Sequence, residues 1–505
     1  LFPYTTLFRS PHLDEPFIMV ELYNALRRTK TGKAPGPDGI PMECFRLMPH
    51  PVKILLAHYN DCFFSGVAPD HWKLAEVVMI FKGSNKNSRH PSSYRPISLA
   101  NSIYKIYAAM LQQRLCKAID PLLQPNQFGF RPQRSLATPL FLIRRLTEIF
   151  ERHTNSLYIL FLDWSQAFDS VGHAHVQMAL QRYGATPIFV QAIMALYHQA
   201  KFYVSESEFQ SHTYSIQRGL RQGCPLSPYL FIVVLSCLML DVKTFFEGLY
   251  QHVPWTFSAE HPLTDLEFAD DTVLMARTQA TLHRLVHLLQ HLAAQRGLSL
   301  NPHKCQLLLL NTTLPISLSK TVTATDPCSC EFCAPFLDIP IEPDSLAPPV
   351  PQMDTAKYLG AFISSNSSST ADVNFRCSQA STAFHALSPF FRHPLIYPKK
   401  KFQIYSQIVQ AILLHGAESQ VYSPAQVSKI NSLHYKALRQ ILQVKSPFYH
   451  RVLSPSEAPC SNEHLIALAY AIHPSLFPPS LRISNTRLKY LGHILRHPES
   501  FEHQI

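Results

Sequence analysis

The chain lacks any apolar run long enough to cross a bilayer; the longest, Tyr229 to Leu240, reads as a buried helix. No signal peptide is read at its start, and no internal repeat recurs along it. Charge is sparse, at 16% of residues against 46% hydrophobic, which excludes a disordered polyelectrolyte. Eleven cysteines scattered over 505 residues do not form the dense spacing of a secreted disulfide framework. The expectation is a soluble, rather apolar globular chain in a reducing compartment, with room for two to four domains.

What is there is unevenly distributed. Residues 1–155 carry 20 Lys/Arg against 11 Asp/Glu, residues 156–375 carry 11 against 18, and residues 376–505 carry 14 against 5. An acidic middle between two basic flanks fits a metal-binding centre between surfaces that grip a polyanion, with nucleic acid the expected partner. An uneven surface without a partner is the plainer alternative.

The acidic middle centres on Asp265-Leu266-Glu267-Phe268-Ala269-Asp270-Asp271, followed by the β-prone run Thr272 to Met275. That pattern predicts a hairpin with Asp270 and Asp271 at or beside its turn. A bare Asp-Asp is most often a solvated turn. Upstream, however, Leu157 to Leu162 is a continuous apolar run, as expected of a strand buried on both faces, and it ends in Asp163. A carboxylate there is costly unless paired or ligating metal. Three acids delivered by two buried elements can hold two Mg²⁺ ions for an in-line phosphoryl displacement.

Elsewhere, alternating Pro and Gly in Lys33-Ala34-Pro35-Gly36-Pro37-Asp38-Gly39 predict a rigid loop, and Gln217 to Pro228 a close-approach loop able to face a base or sugar. Basic groups available to phosphates include Lys105, Arg114, Arg131, Lys399 and Lys400, each of which can also be a solvated surface charge. Residues 311–356 turn to Pro, Ser, Thr and Cys and read as an insertion; Cys328, Cys330 and Cys333 within it lack a clear fourth zinc ligand and read as free thiols. The first ten residues, LFPYTTLFRS, match the translation of a sequencing-library adapter and are expected to be an artefact.

In order, KAPGPDGI, YRPISL, NQFGFR, LDWSQAFDSV, GLRQGCPLSP, FADD, LNPHK and KYLG over residues 30–365 resemble reverse transcriptases, most closely those of LINE-type, non-LTR retrotransposons. The resemblance implies an α+β right-hand fold: fingers over 11–155, a palm of antiparallel sheet over 156–375, and a helical thumb over 376–505. It implies an RNA-directed DNA polymerase using two Mg²⁺ ions, with Mn²⁺ as a substitute, on an RNA template, a DNA or RNA primer and deoxynucleotides. Asp163, Asp270 and Asp271 match the metal ligands, and Phe168 the ring whose bulk leaves no room for a 2′-hydroxyl. Gln222 and Gly223 match the loop shaping the nucleotide site, Arg95 a triphosphate contact, and Lys304 lies near a proton donor to pyrophosphate. Asp169 matches a family residue expected to be structural. The implied location is intracellular, in the nucleus or a cytoplasmic ribonucleoprotein.

The family usually carries an endonuclease, and none is read here, so truncation is expected. Two further readings stand beside the polymerase: an RNA-binding relic without activity, and a group II intron-type enzyme, although no maturase tail follows the expected thumb.

Overall fold

The computed structural model describes residues 13–47, 51–83, 86–206, 208–249, 263–311, 350–445 and 460–497. The adapter-like start and Cys328, Cys330 and Cys333 lie outside them. The strands are β1 (Leu74–Phe81), β2 (Tyr94–Leu99), β3 (Leu157–Leu162), β4 (Lys201–Glu206), β5 (Phe209–Gln210), β6 (Tyr214–Ser215), β7 (Asp265–Phe268), β8 (Asp271–Ala276), β9 (Gln306–Leu310), β10 (Gln352–Met353), β11 (Thr355–Tyr358) and β12 (Ala361–Ser364).

The strand β3 is where the sequence dictates most. It runs antiparallel to both β8 and β9 in the central sheet, whose order is β10-β9-β3-β8-β7. All six of its residues are buried, because the pleat sends alternate side chains into two different cores. Tyr158, Leu160 and Leu162 join the larger core, with the helices Ser227–Leu249 and Gln279–Gln295. Leu157, Ile159 and Phe161 join a second core, against the helix Ala137–Arg152. With no face left for water, every position is apolar; each such side chain contributes about 1.5–3 kcal/mol.

The expected buried helix over Tyr229–Leu240 is present but longer. Ser227–Leu249 has 23 residues and by length and composition alone could cross a membrane, but it is mostly buried inside the protein, as expected of a core helix. The helix Gln279–Gln295 starts where Thr278 Oγ1 accepts from the Thr281 N–H, and Gly297 follows it with φ +79°.

A second sheet, β2-β1-β4-β5, joins β1 antiparallel to β2 and parallel to β4. From Thr370 onward the described chain is helical, with its own core around Phe384, Phe402, Tyr405 and Leu438. It is tied to the rest through Arg144 on the helix Ala137–Arg152. This guanidinium pairs with Asp372, 1% exposed, at 3.1 Å and donates to the Gly416 carbonyl and Ser419 Oγ. Asp372 also accepts from the Phe362 N–H of β12 at 3.0 Å.

Candidate active site

The register between β3 and β8 assembles the acids. Leu162 pairs with Thr272, so the residue just past β3, Asp163, comes across from Asp271 where the register is continued. Trp164 Nε1 donates to Thr272 Oγ1 at 3.1 Å, locking the two strand ends together. Behind β3, Asn301 N–H donates to the Asp163 carbonyl and Ser165 N–H to the Ser299 carbonyl, so the segment carrying LNPHK flanks the acid. Lys304 Nζ reaches Asp163 Oδ2 at 3.3 Å.

The other two acids sit at the β7–β8 turn. Phe268 pairs with Asp271, leaving Ala269 and Asp270 as a two-residue turn. Ala269 has φ +60°, left-handed backbone that side chains with a Cβ rarely adopt. Asp270 and Asp271 face solvent on one side and are walled by protein on the others. That partial burial, with the charge of Asp163, holds the Asp270 carboxyl above its usual range, against a lowering pull from Arg95. Burial, then Asp270 and Asp163, push Asp271 up to about 6. Neither acid forms an ion pair among the described residues. Nor do any three His, Cys, Asp or Glu among them stand as a ready ligand sphere; Asp163 is turned onto Lys304 instead.

Of the other expected residues, Arg95 and Lys304 act on these acids directly, and Phe168, Gln222 and Gly223 have contacts of their own. Arg95 on β2 is exposed and acts electrostatically on Asp270. Phe168 follows β3 after a left-handed Gln166 and stacks on the buried Phe231, ring centroids 4.7 Å apart and 22° between planes. Gln222 donates from Nε2 to both carboxyl oxygens of Asp169 at 3.1 Å, and its carbonyl accepts from the Ser98 N–H. Asp169 is raised by burial, with that hydrogen bond opposing. Gly223 has φ +111°, and a Cβ there would meet the Ser98 carbonyl at 2.7 Å. The close approach at this loop is therefore backbone against backbone.

Two basic residues are corrected. Arg131 is 8% exposed, pairs with Asp120 at 3.1 Å and donates to the carbonyls of Gln124 and Gln127; it braces a turn and offers nothing to a phosphate. Arg114 grips both Glu21 oxygens, at 2.6 and 2.7 Å, and lies 4.0 Å over the Phe17 ring. Lys105 is half-buried, its pKa lowered by burial and raised again by Asp38. Lys399 and Lys400 are exposed, on a short helix away from the acids in sequence.

Residues 83–363, more than half of the chain, match the family model described as "Reverse transcriptase (RNA-dependent DNA polymerase)". The chain belongs to the reverse transcriptase family. It is 31% identical over 278 residues to the Pol polyprotein of the type-2 retrotransposable element R2DM of Drosophila melanogaster, covering 55% of this chain and 25% of that protein. It is 29% identical over 314 residues to the RNA-directed DNA polymerase from mobile element jockey of the same fly, covering 58% and 33%. The chain thus spans a quarter to a third of the length of these curated relatives, which are of the non-LTR kind that its motifs resemble. A telomerase structure from Candida tropicalis, solved with a fragment of telomeric RNA, is similar at 10% identity and a TM-score of 0.39, over 83% of this chain and 68% of that one. The α+β right-hand fold is that of the family.

Sequence reasoning missed the polar support behind this reverse transcriptase site. Asp265 and Glu267, 1% and 0% exposed, share a sealed compartment with Asn126, Gln127 and Lys243. The signal was present in the alternation Asp265-Leu266-Glu267-Phe268, which puts both acids on one face of a strand.

Proposed function

We propose that this chain is the polymerase of a non-LTR retrotransposon, adding deoxynucleotides to a primer 3′-hydroxyl on an RNA template. The observation that carries this is the convergence of Asp163, Asp270 and Asp271 at one end of the central sheet. Their mutual repulsion, with no ion pair to Asp270 or Asp271 among the described residues, leaves a set of hard oxygen donors that suits divalent cations. Two Mg²⁺ ions, or Mn²⁺ in their place, would when bound there activate the primer hydroxyl and neutralise the departing pyrophosphate.

The chain's own residues have distinct tasks. Asp163 is released to its ligand role when it leaves Lys304, which frees that ammonium for a phosphate or a proton transfer. Arg95 supplies a cation beside Asp270 for a triphosphate. Phe168, backed by the stacked Phe231, presents a ring that cannot retreat, which supports exclusion of a 2′-hydroxyl. Asp169 fixes Gln222 at the nucleotide loop, and Gly223 lets that loop lie against β2. Residues 11–155, 156–375 and 376–505 serve as fingers, palm and thumb; the central sheet falls in the second range and the separate helical core in the third. The work is done in the nucleus or a cytoplasmic ribonucleoprotein.

Primer extension on poly(rA)/oligo(dT) with Mg²⁺, comparing wild type with Asp270→Asn/Asp271→Asn, tests this. DNA synthesis confined to the wild type is expected. A folded wild type that binds RNA in a salt-sensitive way and synthesises nothing would mark an inactive relic.

A further inference from the structure

Ala269 holds a left-handed backbone that costs a residue with a Cβ about 1–2 kcal/mol, yet it is the residue from which Asp270 and Asp271 are hung. Its support comes from about 140 residues upstream. The turn containing Asn126 to Arg131 lies along the edge strand β7: Glu267 N–H donates to the Asn126 carbonyl at 3.0 Å, and Phe128 N–H to the Glu267 carbonyl at 2.7 Å. Between them Gln127 is fully buried and bonded at both ends of its amide. Nε2 donates to Glu267 Oε2 at 2.9 Å, while Oε1 accepts from the Gly129 N–H at 2.8 Å and from the Ala269 N–H at 3.3 Å.

The orientation of this amide is forced. Turned end for end, it would set its oxygen against a carboxyl group and its NH₂ against two N–H donors. Glu267, as the acceptor, therefore aims the Gln127 oxygen at Ala269. Gly129 completes the fit, since a Cβ there would stand 2.2 Å from the Ala269 nitrogen. Asp265 anchors the same strand through Lys243 Nζ at 3.0 Å and the Asn126 side-chain amide.

We infer that Gln127 is a positioning residue for the catalytic turn: oriented by Glu267, it holds the Ala269 N–H and so sets where the Asp270 and Asp271 carboxylates stand. Its kinetic consequence rests on the polymerase reading above; its structural consequence does not. Neither residue touches substrate in this scheme. Losing the bracket leaves a turn that samples its right-handed alternatives, in which the two acids no longer face Asp163.

The test uses the full chain and two readouts, amide hydrogen exchange of the segment 267–272 and primer extension per folded molecule. Gln127→Met removes the amide at similar length. It is expected to speed exchange there by about tenfold, the worth of one buried hydrogen bond, and to lower kcat by at least as much with the nucleotide KM within about twofold. Gln127→Asn, which retracts the oxygen by one methylene and keeps the site polar, gives a smaller change of the same kind and serves if Gln127→Met does not fold. The double swap Gln127→Glu/Glu267→Gln again places one amide against one carboxyl with an oxygen free for Ala269, and is expected to restore both readouts. Exchange unchanged in the single variants, or no recovery in the swap, would overturn the bracket. Faster exchange with kcat per folded molecule unaltered would reduce it to a structural support and overturn the positioning role. An inactive wild type that shows the exchange pattern would sink the polymerase reading and sustain the bracket.

Discussion

One hairpin carries two pairs of acids with opposite fates. Asp265 and Glu267, on β7, are sealed from water and matched by a lysine and two side-chain amides. Asp270 and Asp271, three and six residues further along from Glu267 and Asp265 respectively, are open to solvent and repel each other with no ion pair among the described residues, only the more distant pull of Arg95 on Asp270. Residue type does not separate the pairs; supply of partners does. A carboxyl group held by partners inside the protein, or kept protonated there as Glu267 is, braces its strand, and one left open without an ion pair is ready for something from outside.

The largest contrast should come from neutralising each pair. Asp270→Asn/Asp271→Asn is expected to lower synthesis by more than about a hundredfold, the scale of losing preorganised charge at a reacting centre, while melting no lower than the wild type because a repulsion is gone. Lys243→Met, in the sealed compartment, should do the reverse. It strands Asp265 without its cation and is expected to cost about 3 kcal/mol in denaturant unfolding, with specific activity per folded molecule retained. Equal stability losses in the two variants would erase the distinction.

A pH series sharpens it further. Burial and the neighbouring Asp265 raise the Glu267 pKa to about 8, against the pull of Lys243 and the Gln127 hydrogen bond. The folded protein thus holds a proton that the unfolded chain gives up near the ordinary carboxylate range. Its contribution to stability is whole below that range and is lost as pH rises through about 8. Stability should therefore fall between those limits, by at most about 1.4 kcal/mol per pH unit from this group, and Glu267→Gln should flatten that slope in thermal melts. The smallest effect belongs to the exposed lysines: Lys399→Ala/Lys400→Ala is expected to leave melting unchanged and to reduce the salt dependence of RNA binding by roughly one unit of slope per charge lost.

The central strand and the three clustered acids were legible in the sequence because their signals are local. Six apolar residues in a row need two covered faces, and an acid at the end of such a strand needs a reason. The fate of basic residues was not legible, because their partners are distant in sequence or are backbone carbonyls of a turn, which no residue pattern marks. Arg114 meets Glu21 across 93 positions, and Arg131 turns inward on Asp120 and backbone carbonyls rather than outward to phosphate. The bracket behind the acids was hidden for the same reason: a pattern can place Asp265 and Glu267 on one face of a strand, but what covers that face comes from Lys243 and from a turn 140 residues away.

Arg144 and Asp372 bear on how firmly the helical region is held to the rest of the chain. A swing of the helical region away from the sheet would part the buried Asp372 carboxylate from the Arg144 guanidinium, leaving it only Arg376 at 3.6 Å on its own helix, and would break two further hydrogen bonds from Arg144. At about 3 kcal/mol for the separated pair, such a form is populated by fewer than about one molecule in a hundred.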